Sequence, residues 1–97
     1  MLFLGDKGHH RPKERFDQIQ PVLLKRGIHL EYTENVGDLN LPKLREYDSL
    51  VLYANIDRIS PPQAAALLAY VNGGGGFAPI HCATYCFRNN DDVVALM

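Results

Sequence analysis

The side chains able to do chemistry fall into three short groups. Asp6, Lys7, His9, His10 and Arg11 occupy the stretch after the first apolar run, within Gly5-Asp6-Lys7-Gly8-His9-His10-Arg11. Asn55 and Asp57 follow a second run, and His81, Cys82, Thr84 and Tyr85 follow a third, with Arg88 and Asn89 just beyond. An imidazole titrates close to neutrality, so His81 could act with His9 or His10 as a general acid–base pair, or the histidines could hold a divalent metal. The two uses need different geometry, and the spacing chooses neither, since it forms no compact metal motif. No cofactor is called for. Cys82 is the candidate thiol nucleophile. With Cys86 it makes C-x-x-x-C, which is neither a disulfide framework nor a C-x-x-C redox or zinc signature. Cys86 reads as core packing and His29 as structural.

These groups gain meaning from the elements before them. Met1–Leu4 reads as a buried parallel strand stopped by Gly5. Pro12 then suits the first turn of a helix carrying Phe16, Ile19 and Leu23 at helical spacing up to Gly27, with Pro21 expected to kink or split it. Ile28–Thr33 alternates like a strand nearer the sheet edge, and ends in the less distinctive Thr33 and Glu34. A short helical turn is expected around Pro42, and Ser49–Tyr53 reads as a central strand, apolar on both faces. Ser60, Pro61 and Gln63 spell a capping box for a helix that Gly73 ends. Phe77–Ile80 reads as a fourth strand, and Asp91–Met97 as a last helix without a terminating signal. The order β-α-β-(turn)-β-α-β lacks any hairpin signal and predicts an α/β domain: a doubly wound, mainly parallel sheet of flavodoxin-like or class I glutamine amidotransferase-like type. Four strands and an unfinished helix read as a truncated single domain spanning residues 1–97.

In such a sheet ligands bind outside the carboxyl ends of the strands, near the point where strand order reverses. All three polar groups lie immediately after strands. The third also has the plan of a nucleophile elbow, which needs small residues two before and two after its exposed tip. Centred on Cys82 those positions are Ile80, which is bulky, and Thr84; centred on His81 they are Pro79 and Ala83. The plan therefore favours His81 at the tip. The run Gly73–Gly76 precedes a strand rather than following one, so it reads as a helix stop and not a phosphate cradle. Gly5-x-x-Gly8 is neither a dinucleotide fingerprint nor a Walker loop. It is either a tight turn with solvated histidines or a loop whose glycines let the backbone approach a ligand. Arg88 with Asn89 could face an anionic or hydroxylated ligand, or simply form a solvated turn.

Ten basic residues against eleven acidic ones, a formal net charge of −1, argue against nucleic acid as a partner. No apolar run approaches the roughly 20 residues of a membrane span. The opening residues are too short an apolar run for a signal peptide, and the default setting is cytoplasmic.

The stretches LFLGDKGHHRPKERF, YDSLVLYANIDRISPPQ and VNGGGGFAPIHCATYCFRN resemble the ThuA-like trehalose-utilisation family, whose members have a class I glutamine amidotransferase-like fold. The resemblance runs along nearly the whole chain and covers about the first half of such a domain. It implies a role in sugar metabolism, with trehalose or a related disaccharide, oxidised forms included, as the small-molecule partner. Carried over position by position, it touches His9, His10, Asn55, His81 and Cys82. True amidotransferases carry Gly-x-Cys-x-Gly and a later His-x-Glu; here the tip is His81 without flanking glycines and no His-x-Glu follows, which argues against glutaminase chemistry. The leading expectation is thus carbohydrate binding or processing, with His81 and Cys82 as catalytic candidates and His9, His10, Asn55 and Arg88 as ligand contacts. The alternatives are an amidotransferase- or hydrolase-like enzyme using Cys82, and a non-catalytic interaction module of a homo-oligomer or a larger fused protein.

Overall fold

Short apolar runs that alternate with amphipathic segments give the chain one sheet and its covering helices. A computed structural model describes residues 1–97. The strands are β1 (Leu2–Leu4), β2 (Glu31–Thr33), β3 (Ser49–Leu52) and β4 (Gly76–Pro79), all parallel, in the order β2-β1-β3-β4. The helices are α1 (Pro12–Leu24), α2 (Leu41–Leu44), α3 (Pro61–Asn72) and α4 (Asp91–Val94), with 3-10 turns at Val36–Asp38 and His81–Tyr85. This is the flavodoxin-like order, and its direction reverses between β1 and β3.

Period-two alternation assigns the two faces of the sheet. Leu2, Leu4, Leu50 and Leu52 point into the larger core with Leu44 of α2, Leu67 and Tyr70 of α3 and Val93 of α4. Phe3 and Val51 point the other way, onto Phe16 of α1 and Leu30. Helices on both faces make the sheet doubly wound, as the sequence predicts. β3 lies between β1 and β4 and is buried along Leu50, Val51 and Leu52, whereas β2 occupies the edge.

Helix α3 begins as its residues dictate. The Ser60 hydroxyl accepts from the Gln63 N–H while the Gln63 side chain accepts from the Ser60 N–H, and Pro61 takes the first position. Gly73 closes it. A Cβ on Gly75 would stand 2.5 Å from the Tyr70 ring, so the glycine run lets the chain fold tightly from α3 into β4.

Several local expectations are corrected. Pro21 does not split α1, which runs unbroken through it to Leu24, because the exposed face of the helix tolerates the lost donor. β2 starts at Glu31 rather than Ile28, which leaves His29 outside the strand and exposed, its carbonyl accepting from the Met1 ammonium at 2.8 Å. The last helix is shorter than its apolar content suggests, ending at Val94. No helix is long and apolar enough to cross a membrane.

Candidate functional site

Three loops leave the carboxyl ends of β1, β3 and β4 and meet above the point where strand order reverses. The loop after β1 carries His9 and His10, whose rings stand 4.1 Å apart between centroids. The His10 ring meets the His81 ring edge to face at 4.8 Å. Tyr53, the residue after β3, completes the group, with its ring 6.4 Å from His10 and 6.5 Å from His81. His9 and His81 are exposed; His10 and Tyr53 are half-buried.

Each side chain is placed by an identifiable local device. His81 has φ 55°, a left-handed conformation at the point where β4 stops and the 3-10 turn begins. Such a residue turns the chain sharply and lifts its side chain clear of the sheet, which is the elbow geometry expected with His81 at the tip. Asp6 fixes the first loop. One of its carboxylate oxygens accepts from the Gly8 N–H at 2.8 Å, and the other accepts from the Asn55 N–H at 2.7 Å. A Cβ on Gly8 would crowd that carboxylate at 3.0 Å, so the glycine permits the close approach.

The loops after β3 and β4 are stitched to each other. Phe87, fully buried with φ 60°, donates its N–H to the Ile56 carbonyl at 2.9 Å, and the Arg88 N–H reaches the Asp57 carbonyl at 3.2 Å. The Asn89 side chain clamps Ile59 from both sides, accepting from its N–H at 2.9 Å and donating to its carbonyl at 2.8 Å. Asn89 therefore does not face a ligand, because both ends of its amide are engaged.

The electrostatics disfavour the charged form of His10. His10 titrates below its ordinary value, first through loss of hydration and then through repulsion from His9 and His81, with Asp6 opposing. Burial pushes the Cys82 thiol up, and the negative charge of Asp6 adds to this. Cys82 donates to the Ala54 carbonyl at 3.3 Å, and the buried Cys86 donates to the same carbonyl at 3.2 Å while accepting from the Ile56 N–H. A thiol held in its neutral form and engaged with a backbone carbonyl is a poor nucleophile.

Of the residues singled out from the sequence, His9, His10 and His81 come together, and Asn55 joins them through its backbone bond to Asp6. Cys82 lies just beneath, turned to Ala54. Arg88 is turned outward, its guanidinium over the Tyr85 ring at 4.7 Å. No three His, Cys, Asp or Glu side chains form a group that could hold a metal ion. The sequence does not single out Tyr53, which reads as the last residue of an apolar strand. The available signal was its parity with Val51, which sets it on the opposite face from Leu52, at the very end where the strand opens to the rim.

A shallow apolar cavity of about 290 Å³ continues from His81 and Tyr53 along Phe3, Ile19 and Ile80, with Arg15 at its margin. The larger cavities lie elsewhere, around Tyr70 and the Gly73–Gly75 turn, between α2 and α3, and beside Met1, His29 and Asp48, and none is lined by His9, His10 or His81.

Comparison with solved structures aligns the chain with the crystal structure of a ThuA-like protein from Bacteroides uniformis ATCC 8492, at a TM-score of 0.74 and 19% identity. The alignment covers 91% of this chain and 38% of that one, so this chain spans well under half the length of its structural relative. That likeness carries the fold alone. No curated protein matches the sequence. The family model for ThuA, described as trehalose utilisation, matches residues 1–97, and the chain belongs to the ThuA family.

Proposed function

We propose that the rim formed by His9, His10, Tyr53 and His81 binds or processes a carbohydrate, with trehalose or a related disaccharide as the ligand class. The observation that carries this reading is the edge-to-face approach of His10 and His81 at 4.8 Å beside the Tyr53 ring, at the point where an open α/β sheet receives ligands. Neutral imidazole offers one donor and one acceptor, which matches a hydroxyl, itself both donor and acceptor. A phosphate would call for fixed positive charge, and the lowered titration of His10 works against that. The Tyr53 ring adds an apolar surface on which the C–H face of a pyranose can rest. The trehalose-utilisation description of the family supports the same ligand class.

Thermal melting against a panel of disaccharides, trehalose and its oxidised forms included, tests the reading. A raised melting temperature with at least one of these sugars is expected, and His81→Ala should abolish it while leaving the ligand-free transition cooperative. If no sugar in the panel moves the transition, the reading fails.

A further inference from the structure

We propose that Asp6 is the positioning residue of this rim, holding the histidine loop after β1 and the Asn55 loop after β3 in one arrangement. The inference rests on reading the histidine rim as the ligand site.

The pairing of β1 with β3 shows how. In a parallel ladder, successive N–H donors two residues apart bond successive carbonyls two residues apart. Tyr53 donates its N–H to the Leu4 carbonyl at 3.0 Å. Continued by one rung, the ladder would send the Asn55 N–H to the Asp6 carbonyl. It goes instead to the Asp6 side chain, at 2.7 Å. The side chain thus supplies the rung that the backbone gives up. The backbone after Asp6 is freed to turn away towards α1, and in turning it brings His9 and His10 over β3.

Both oxygens of the carboxylate are used, and both partners are N–H donors. An Asp6 amide could satisfy only one, because its NH2 group would face the other donor. The Gly8 bond alone would be a local turn closed two residues on. The Asn55 bond spans 49 residues and links two separate loops. The charge of Asp6 is also felt at the rim, where it opposes the lowering of His10. Its field reaches His10 on its own loop, Cys82 and Cys86 in the segment after β4, and Tyr32 of β2.

Nuclear magnetic resonance on the ligand-free protein decides the matter without any sugar. In Asp6→Asn, exchange of the Asn55 amide proton should accelerate about tenfold or more, as expected for loss of a bond to a charged acceptor. The His10 titration midpoint should fall at the same time, and Asp6→Glu should return it towards the wild-type value. In the wild-type protein, the Gly8 and Asn55 amide signals should follow the Asp6 carboxyl with one shared midpoint during acid titration, a measurement that stands even if the variants do not fold. An Asn55 amide that ignores both the substitution and the titration overturns the proposal and leaves Asp6 a local turn residue. An unmoved His10 midpoint in Asp6→Asn overturns it as well. Melting with trehalose is then run on the same proteins. A wild-type protein that ignores every sugar, yet shows the expected exchange and titration, sinks the carbohydrate reading while the role of Asp6 as a clamp between the loops survives.

Discussion

At the scale of single residues the sign of one titration yields a measurable consequence. His10 binds its proton less tightly in the folded protein than in the unfolded chain, whose histidine titrates near 6.5. The unfolded state therefore gains protons first as the pH falls. The stability that neutral His10 contributes is fully present above that value and is lost on descent through the lower folded one. Between about pH 7 and pH 5.5, where unperturbed carboxylates stay ionised, the melting temperature should fall, and His10→Gln should flatten that slope. The thiols make the converse case. Burial raises both Cys82 and Cys86, so each stays protonated beyond the ordinary cysteine range. Alkylation by iodoacetamide at pH 7, followed by mass spectrometry, should modify Cys82 slowly, and Cys86 only after unfolding, because its side chain is fully buried. A fast reaction at Cys82 would revive the thiol as a nucleophile.

At the scale of elements, the devices that hold the loops can be tested one at a time. Asn89→Ala removes two hydrogen bonds to Ile59 and leaves backbone groups of a part-buried turn unpaired, at a cost of about 1–3 kcal/mol in denaturant unfolding. Ser60→Ala breaks the capping box of α3 and should cost about 1 kcal/mol. These two cases also mark what could be read from the sequence. The cap of α3 was legible because Ser-x-x-Gln beside Pro61 is a local code, complete within four residues. The Asn89 clamp joins positions 30 residues apart, and nothing local distinguishes an asparagine that clamps from one that is solvated. The parallel sheet and its helices were legible for the same local reason, as runs such as Ser49–Leu52 declare burial on both faces. Convergence of the loops followed from the fold rule and not from any motif. Tyr53 and the second bond of Asp6 were hidden, the first by strand composition and the second by its long reach in sequence.

At the scale of the whole molecule, the Cα radius of gyration is 12.7 Å, close to the roughly 12.5 Å expected of a compact domain of this length. The larger core is the main source of stability, and Leu67, fully buried in α3 against β1 and β3, is its most direct probe. Leu67→Ala should cost about 2–5 kcal/mol, a large share of the total for a domain of this size. The opposite face is thinner. Its cluster comprises Phe3, Phe16, Leu30 and Val51, while Ile19 and Ile80 remain 38% and 44% exposed. Substitution on that side, as in Ile80→Ser, should change the unfolding free energy far less than Leu67→Ala does.

The backbone at His81 ties these scales together. A side chain with a Cβ at φ 55° carries a conformational cost of about 1–3 kcal/mol that glycine would not bear. Replacing His81 with Gly should therefore yield a protein that melts at a higher temperature and no longer responds to sugar. Stability and ligand recognition would then move in opposite directions through one position, as a strained residue at a binding rim implies.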